Sequence, residues 1–278
     1  MVDASFVWLN HELVPLAEAR ISVDDRGFLY GDGFFETLKA QSGRIFWLAE
    51  HLARLAASAQ AFRLNLPVRI PWEERLNRLL AENGLQQGLA AVKILVSRGQ
   101  AAGVGLPEAA SPTLVMWARP YTPPPPEEYA AGWPLITFPE RRSTFLGRHK
   151  SLNYLFYLAA RQYALDQGAK EALILETDGL VSEGAATSLV YRAGNRFFTP
   201  RGDSALPSVT LAVLSRALLR RGDTLEATPT APPRLWEAQG LWVVNSLLGV
   251  MPVASLDGLP VPLAPDATRL LRGFLEAD

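Results

Sequence analysis

Four lysines, Lys39, Lys93, Lys150 and Lys170, stand among 27 Lys and Arg, so arginine carries almost all the positive charge. Arginine stays protonated, whereas a desolvated lysine can shed its proton and act as a nucleophile. Lys150 lies at the join of two unlike segments in "STFLGRHKSLNYLFYLAARQ", residues 143–162. An Arg- and Gly-containing loop precedes it, and Leu152, Leu155, Phe156 and Ala159 follow at helical spacing, with Ser151 placed to cap that helix. Downstream, Glu183 sits among the small residues Ser182, Gly184, Ala185 and Ala186, which leave room for a planar group to approach a carboxylate. "SALPSVTLAVL" sets Ser208, Val209 and Thr210 at a helix start, where amides and the helix dipole suit a phosphate. Arg54 falls between apolar positions of a helix, and Asn245-Ser246 closes an apolar strand. Each residue has an ordinary alternative: a surface lysine or arginine, a turn glutamate, a simple helix cap. Together they supply an amine, a carboxylate, an arginine and hydroxyl and amide donors. That set suits a phosphorylated pyridine aldehyde held as a Schiff base.

Composition narrows the setting. The 278 residues carry a formal charge of −1, with 49% hydrophobic and 20% charged residues, enough for two modest domains or one large one. Near-neutral charge with no basic stripe argues against nucleic acid. No cysteine is present, and His11, His51 and His149 are too scattered for a zinc-type spacing, so no metal is expected. No uncharged run reaches membrane-spanning length, and the first residues lack a leader pattern, so a cytoplasmic protein with no membrane partner is expected.

Four prolines, Pro123 to Pro126, favour a stiff extended connector. They divide the chain into a small domain (1–119), a connector (120–128) and a large domain (129–278). Strands are predicted near 4–9, 34–40, 44–47, 91–97 and 113–118, with helices near 50–64 and 72–82. The second half predicts strands near 134–138, 172–176, 187–192, 195–199 and 241–245. Its helices are predicted near 152–167, 210–221 and 266–276. Ala193-Gly194-Asn195 reads as a hairpin turn. The mixture indicates α+β domains.

Seven stretches, in order, carry a family resemblance: "DDRGFLYGDGFFETLK" (24–39), "EHLARL" (50–55), "SRG" (97–99), "HKSLNYL" (149–155), "DGLVSEGAATSLVY" (178–191), "LPSVT" (206–210) and "VVNSLLGVMPV" (243–253). The chain resembles the class IV, fold-type IV pyridoxal-phosphate enzymes: branched-chain aminotransferases, D-amino-acid aminotransferases and aminodeoxychorismate lyases. The resemblance implies two mixed α/β domains with pyridoxal 5′-phosphate between them and a homodimer. It implies Lys150 as the Schiff-base lysine and Glu183 as the partner of the pyridine nitrogen. Arg54, Val209, Thr210 and Ser246 would hold the phosphate, and Tyr154 the phenolic oxygen. Tyr30, Thr37 and Arg98 would face a small amino-acid-like substrate, Thr37 also serving catalysis.

"NSLLGVMPV" and "DRGFLYGDGFFETL" look most like the lyases, which turn 4-amino-4-deoxychorismate into 4-aminobenzoate and pyruvate in folate synthesis. "SRGQAAGVGLP" lacks the second Arg usual in lyase and D-amino-acid members, and Ser208 and Leu211 depart from the common "LPGVTR". Against these departures, the two lyase-like stretches make the lyase the expectation. An aminotransferase for D-amino acids or branched-chain L-amino acids with 2-oxoglutarate is the alternative, and a non-catalytic relative a remote one.

Overall fold

A computed structural model describes residues 5–67, 69–108 and 111–277. The chain forms two compact units, Met1–Thr122 with His149–Tyr154, and Pro123–Arg148 with Leu155–Asp278.

The first unit contains β1 (Phe6–Leu9), β2 (Glu12–Pro15), α1 (Arg26–Tyr30), β3 (Gly33–Gln41), β4 (Arg44–Ile45), α2 (Leu48–Ala61), α3 (Trp72–Glu82), β5 (Leu89–Ser97) and β6 (Thr113–Pro120). Its sheet is antiparallel in the order β2-β1-β6-β5-β3-β4. Alternation along β3 sends Phe34, Glu36, Leu38 and Ala40 to one buried face. That face packs on α2, which buries His51, Leu55, Ser58 and Ala59, and shares its core with Leu76, Leu79 and Leu80 of α3. Phe35, Thr37 and Lys39 belong to the opposite face.

The second unit contains α4 (Pro126–Ala131), β7 (Trp133–Thr137), α5 (Leu155–Asp166), β8 (Glu171–Leu175), β9 (Val181–Gly184), β10 (Ser188–Ala193), β11 (Arg196–Pro200), α6 (Val209–Arg221), β12 (Leu225–Thr228), α7 (Pro232–Trp236), β13 (Leu241–Asn245), β14 (Gly249–Leu256), β15 (Leu259–Pro260) and α8 (Pro265–Ala277). The mixed sheet runs β12-β11-β10-β13-β14-β7-β8-β9, with β15 beside β14. Its strands β8 and β13 are buried at nearly every position and read as continuous apolar runs.

The expected elements form with shifted ends, and of the strand expected at 4–9, residue 4 lies outside the described residues. Three expectations change. Helix α4 begins at Pro126, inside the segment read as an extended connector, because proline suits a first helical turn. Residues 149–154, read as part of the large domain, cluster with the first unit. Helix α5 starts at Leu155, not after Ser151, whose hydroxyl instead accepts from the Asn153 amide at 3.0 Å. Among the described residues, no helix is long and apolar enough to cross a membrane.

Candidate active site

The lysine segment is stitched to the edge of β3. Phe35 N–H donates to Lys150 O at 2.8 Å, Leu152 N–H donates to Gly33 O at 2.9 Å, and Phe34 bridges Ser151. Gly33 permits this approach, since a Cβ there would stand 2.4 Å from Val96 O and 2.7 Å from Leu152 Cδ1. The half-buried Lys150 places Nζ 4.7 Å from the Phe35 ring centroid and 5.5 Å from that of Tyr154. Tyr154 meets Phe35 edge-on at 5.2 Å. Aromatic rings at these distances attract an ammonium group and help to seat it.

Behind β3 lies a buried charge cluster that the sequence reading missed. Glu36, 1% exposed, accepts from Arg54 Nε at 2.8 Å and from a terminal Arg54 nitrogen at 2.6 Å, and its Oε2 lies 2.7 Å from His51 Nδ1. Burial alone would raise the Glu36 carboxyl, but the bonds from Arg54 and His51 outweigh it and hold the group below the usual range. One edge of the Arg54 guanidinium is thereby fixed by a bidentate pair, which orients the side chain expected to hold a phosphate. Glu36→Gln should cost about 2 kcal/mol of stability and loosen cofactor binding. Because the folded-state pKa is depressed, wild type keeps this contribution above the unfolded carboxylate pKa and loses it as pH falls through the folded value. Acid melts of both proteins check it, since the variant should lose that part of the acid sensitivity.

Arg98 corrects an expectation. It is fully buried, and its five N–H groups are all taken. Nε and one terminal nitrogen donate to Asp32 at 2.8 and 3.2 Å. The remaining donors reach Phe62 O, Arg63 O and Pro107 O at 2.8–3.1 Å. Nothing is left for a substrate carboxylate, so Arg98 is a rivet of the first unit. Asp32 also accepts from Arg26 at 2.9 Å; despite burial, Arg98 and then Arg26 hold its carboxyl low.

Thr37 is half-buried and pairs in register with Lys93 of β5. Tyr30 ends α1 exposed, with the Arg26 guanidinium carbon 4.9 Å from its ring centroid.

In the second unit Glu183, 7% exposed on β9, accepts from Tyr157 O–H at 2.7 Å and from Leu206 N–H at 3.2 Å. Tyr157, on α5, carries no sequence signal of its own beyond its helical position. Ser208 caps α6, accepting from Leu211 N–H at 3.3 Å. Val209 and Thr210 are buried in the first turn, where backbone amides have no intrahelical acceptor. Asn245 Oδ1 accepts from Leu247 and Leu248 N–H at 3.0 and 2.7 Å, which shapes the turn carrying Ser246. Among the described residues no cluster of three or more His, Asp and Glu could hold a metal ion. Taken unit by unit, the amine and oriented arginine of the first have the chemistry to suit an aldehyde and a phosphate, and the fixed carboxylate and capped helix start of the second to suit a basic ring nitrogen and a phosphate.

The profile of the family "Amino-transferase class IV" matches residues 33–256. The chain is 28% identical over 258 residues to the branched-chain-amino-acid aminotransferase-like protein 2 of Arabidopsis thaliana, covering 90% of this chain and 46% of that protein, so it spans about half that relative's length. It is 28% identical over 282 residues to the D-alanine aminotransferase of Bacillus licheniformis, covering 97% and 96% of the two chains. Among solved structures, the T.th. branched-chain amino acid aminotransferase with pyridoxamine 5′-phosphate superposes with a TM-score of 0.89 at 26% identity, over 100% of this chain and 95% of that one. The expected two mixed α/β domains agree with that fold. The chain belongs to the class IV aminotransferase family.

Proposed function

We propose that this chain is a pyridoxal-phosphate-dependent aminotransferase, with a small amino acid as donor and a 2-oxo acid as acceptor. The observation that carries the reading is the Lys150 amine, seated against Phe35 and Tyr154 by backbone bonds to β3 in a chain whose family profile spans residues 33–256. When bound, pyridoxal 5′-phosphate supplies an aldehyde for an amine and a ring that withdraws electrons from the substrate's α-carbon. Lys150 binds that aldehyde and later takes the proton from the substrate Cα. Glu183, fixed by Tyr157 and Leu206, holds a proton on the ring nitrogen. Arg54, set by Glu36, and the Val209 and Thr210 amides bind the phosphate with Ser246. Tyr154 lies beside Lys150 to bind the phenolic oxygen. A homodimer is part of this reading, supported by the consecutive exposed Phe28, Leu29 and Tyr30 on α1.

A second reading, aminodeoxychorismate lyase, draws on Thr37, which shares the Phe35 face of β3. It has lost Arg98 as a carboxylate donor. Purified protein given D-alanine or L-leucine with 2-oxoglutarate should yield the matching 2-oxo acid. Formation of 4-aminobenzoate from aminodeoxychorismate, without 2-oxo acid from any amino donor, would replace the aminotransferase with the lyase.

A further inference from the structure

Glu171 opens β8 with its carboxylate fully buried, and no role assigned above uses it. Its Oε2 lies 3.1 Å from a terminal nitrogen of Arg161 and accepts from the Ala186 N–H at 3.3 Å. Oε1 accepts from the Ala172 N–H at 2.9 Å. Burial raises the Glu171 carboxyl above the ordinary range, against the pull of Arg161, so keeping it in place costs stability. Ala186, by contrast, is exposed. A buried acid thus holds the backbone of an exposed alanine.

Ala186 belongs to the turn that follows Glu183. Gly184 N–H closes that turn on Thr187 O at 2.7 Å, and Ala185 N–H donates to Ala172 O at 3.0 Å. A Cβ at Gly184 would stand 2.2 Å from Thr187 Oγ1 and 3.3 Å from Glu171 Cγ, so the turn lies tightly on the acid. The Ala186 carbonyl is held as well. It accepts from Asn245 Nδ2 at 3.1 Å, just past the β10–β13 pair of Ser188 with Val244. Asn245 Oδ1 meanwhile takes the Leu247 and Leu248 amides, so one side chain shapes the Ser246 turn and holds Ala186. Tyr129 O–H, from α4, fixes the same turn by donating to Leu248 O at 2.8 Å.

We propose that Glu171 and Asn245 are positioning residues that grip Ala186 at its N–H and its C=O, joining the Glu183 strand and the Ser246 turn into one rigid edge that spaces the ring-nitrogen and phosphate contacts of the cofactor. The proposal rests on the reading of Glu183 and Ser246 as cofactor contacts. Both residues act through the Ala186 backbone.

Two variants, each read at the far end of the edge, test the link. Calorimetry on the cofactor-free chain should show inorganic phosphate binding at least fivefold more weakly to Glu171→Gln than to wild type. Charge alone gives no such loss, because removing a carboxylate does not weaken the attraction for an anion. In Asn245→Ala, the isotope-labelled ring nitrogen of the bound cofactor should move in its NMR spectrum toward the unprotonated value. The double variant should bind phosphate no more weakly than Asn245→Ala alone, since both changes cut the same link. Unchanged or tighter phosphate binding in Glu171→Gln, an unmoved ring nitrogen in Asn245→Ala, or additive losses in the double variant overturns the proposal. Asn245 is only half-buried, so its variant carries the test if Glu171→Gln does not fold. Ser246→Ala and Glu183→Gln separate the two layers. Phosphate affinity unchanged in the first, or a ring nitrogen unmoved in the second, overturns the underlying cofactor reading. Changes in both, with wild-type behaviour in Glu171→Gln and Asn245→Ala, overturn the link alone.

Discussion

Lys150→Ala loses about three orders of magnitude or more of turnover yet remains folded, because one amine serves both covalent binding and proton transfer. Its seat does not depend on the side chain: the backbone carbonyl of Lys150 accepts from Phe35 N–H, and Leu152 N–H donates to Gly33. The melting temperature should therefore stay near that of wild type. The wild-type protein should be yellow, and borohydride should remove the visible band while leaving the cofactor's mass on the peptide containing Lys150. The informative rival is Lys93, which shares the Phe35 ring and whose lowered pKa raises its neutral, nucleophilic fraction. Cofactor mass on Lys93, Lys39 or Lys170 would sink the assignment.

Arg98→Ala produces the largest loss of stability expected of any single replacement named for this chain. The substitution deletes a fully buried guanidinium, leaves the Asp32 carboxylate short of one partner and strips donors from Phe62, Arg63 and Pro107 carbonyls. Breaking one side of a buried ion pair costs about 3–5 kcal/mol, equivalent to a fall in Tm on the order of 10 °C for a chain of this size. Arg98→Lys should rescue little, because an ammonium on a single stem cannot reach five acceptors spread around a planar fork. A thermal melt decides it. An unchanged Tm in Arg98→Ala, with a raised KM alone, would restore the arginine to substrate binding.

Arg98 shows where the sequence was legible and where it was not. The tract "SRG" carries a family resemblance, but resemblance alone does not say whether an arginine faces a ligand or the interior. That is decided by acceptors from 32, 62, 63 and 107, distant in sequence and brought together only by folding. Strands β3, β5 and β13 were readable because apolar alternation or a continuous apolar run sets them. Strands β9 and β12 were not: "VSEG" lacks a two-residue pattern, "LEAT" alternates over only four residues, and both depend on neighbouring strands for pairing. Glu183 was found from its small neighbours, whereas Tyr157, which fixes it, looked like any other residue of an apolar helix. Glu36 had a faint signal, an acid at an inward position between Phe34 and Leu38, whose meaning appears only with Arg54 and His51 around it.

The stitching of residues 149–154 onto β3 also sets the order in which the protein can mature on the ribosome. Phe35 and Lys150 are about 115 residues apart, so joining them costs roughly 4 kcal/mol of chain entropy before any contact repays it. At ordinary synthesis speeds β3 waits about 6–20 s with that edge bare before the lysine segment is made. A fragment ending at Thr122 would keep β3 and its ring at Phe35 but not the amine, and one beginning at Pro123 would carry the amine with no ring to seat it. Nucleophile and seat are thus encoded on opposite sides of the proline run, and a nascent chain holds no seated lysine until synthesis has passed that run and reached residues 149–154.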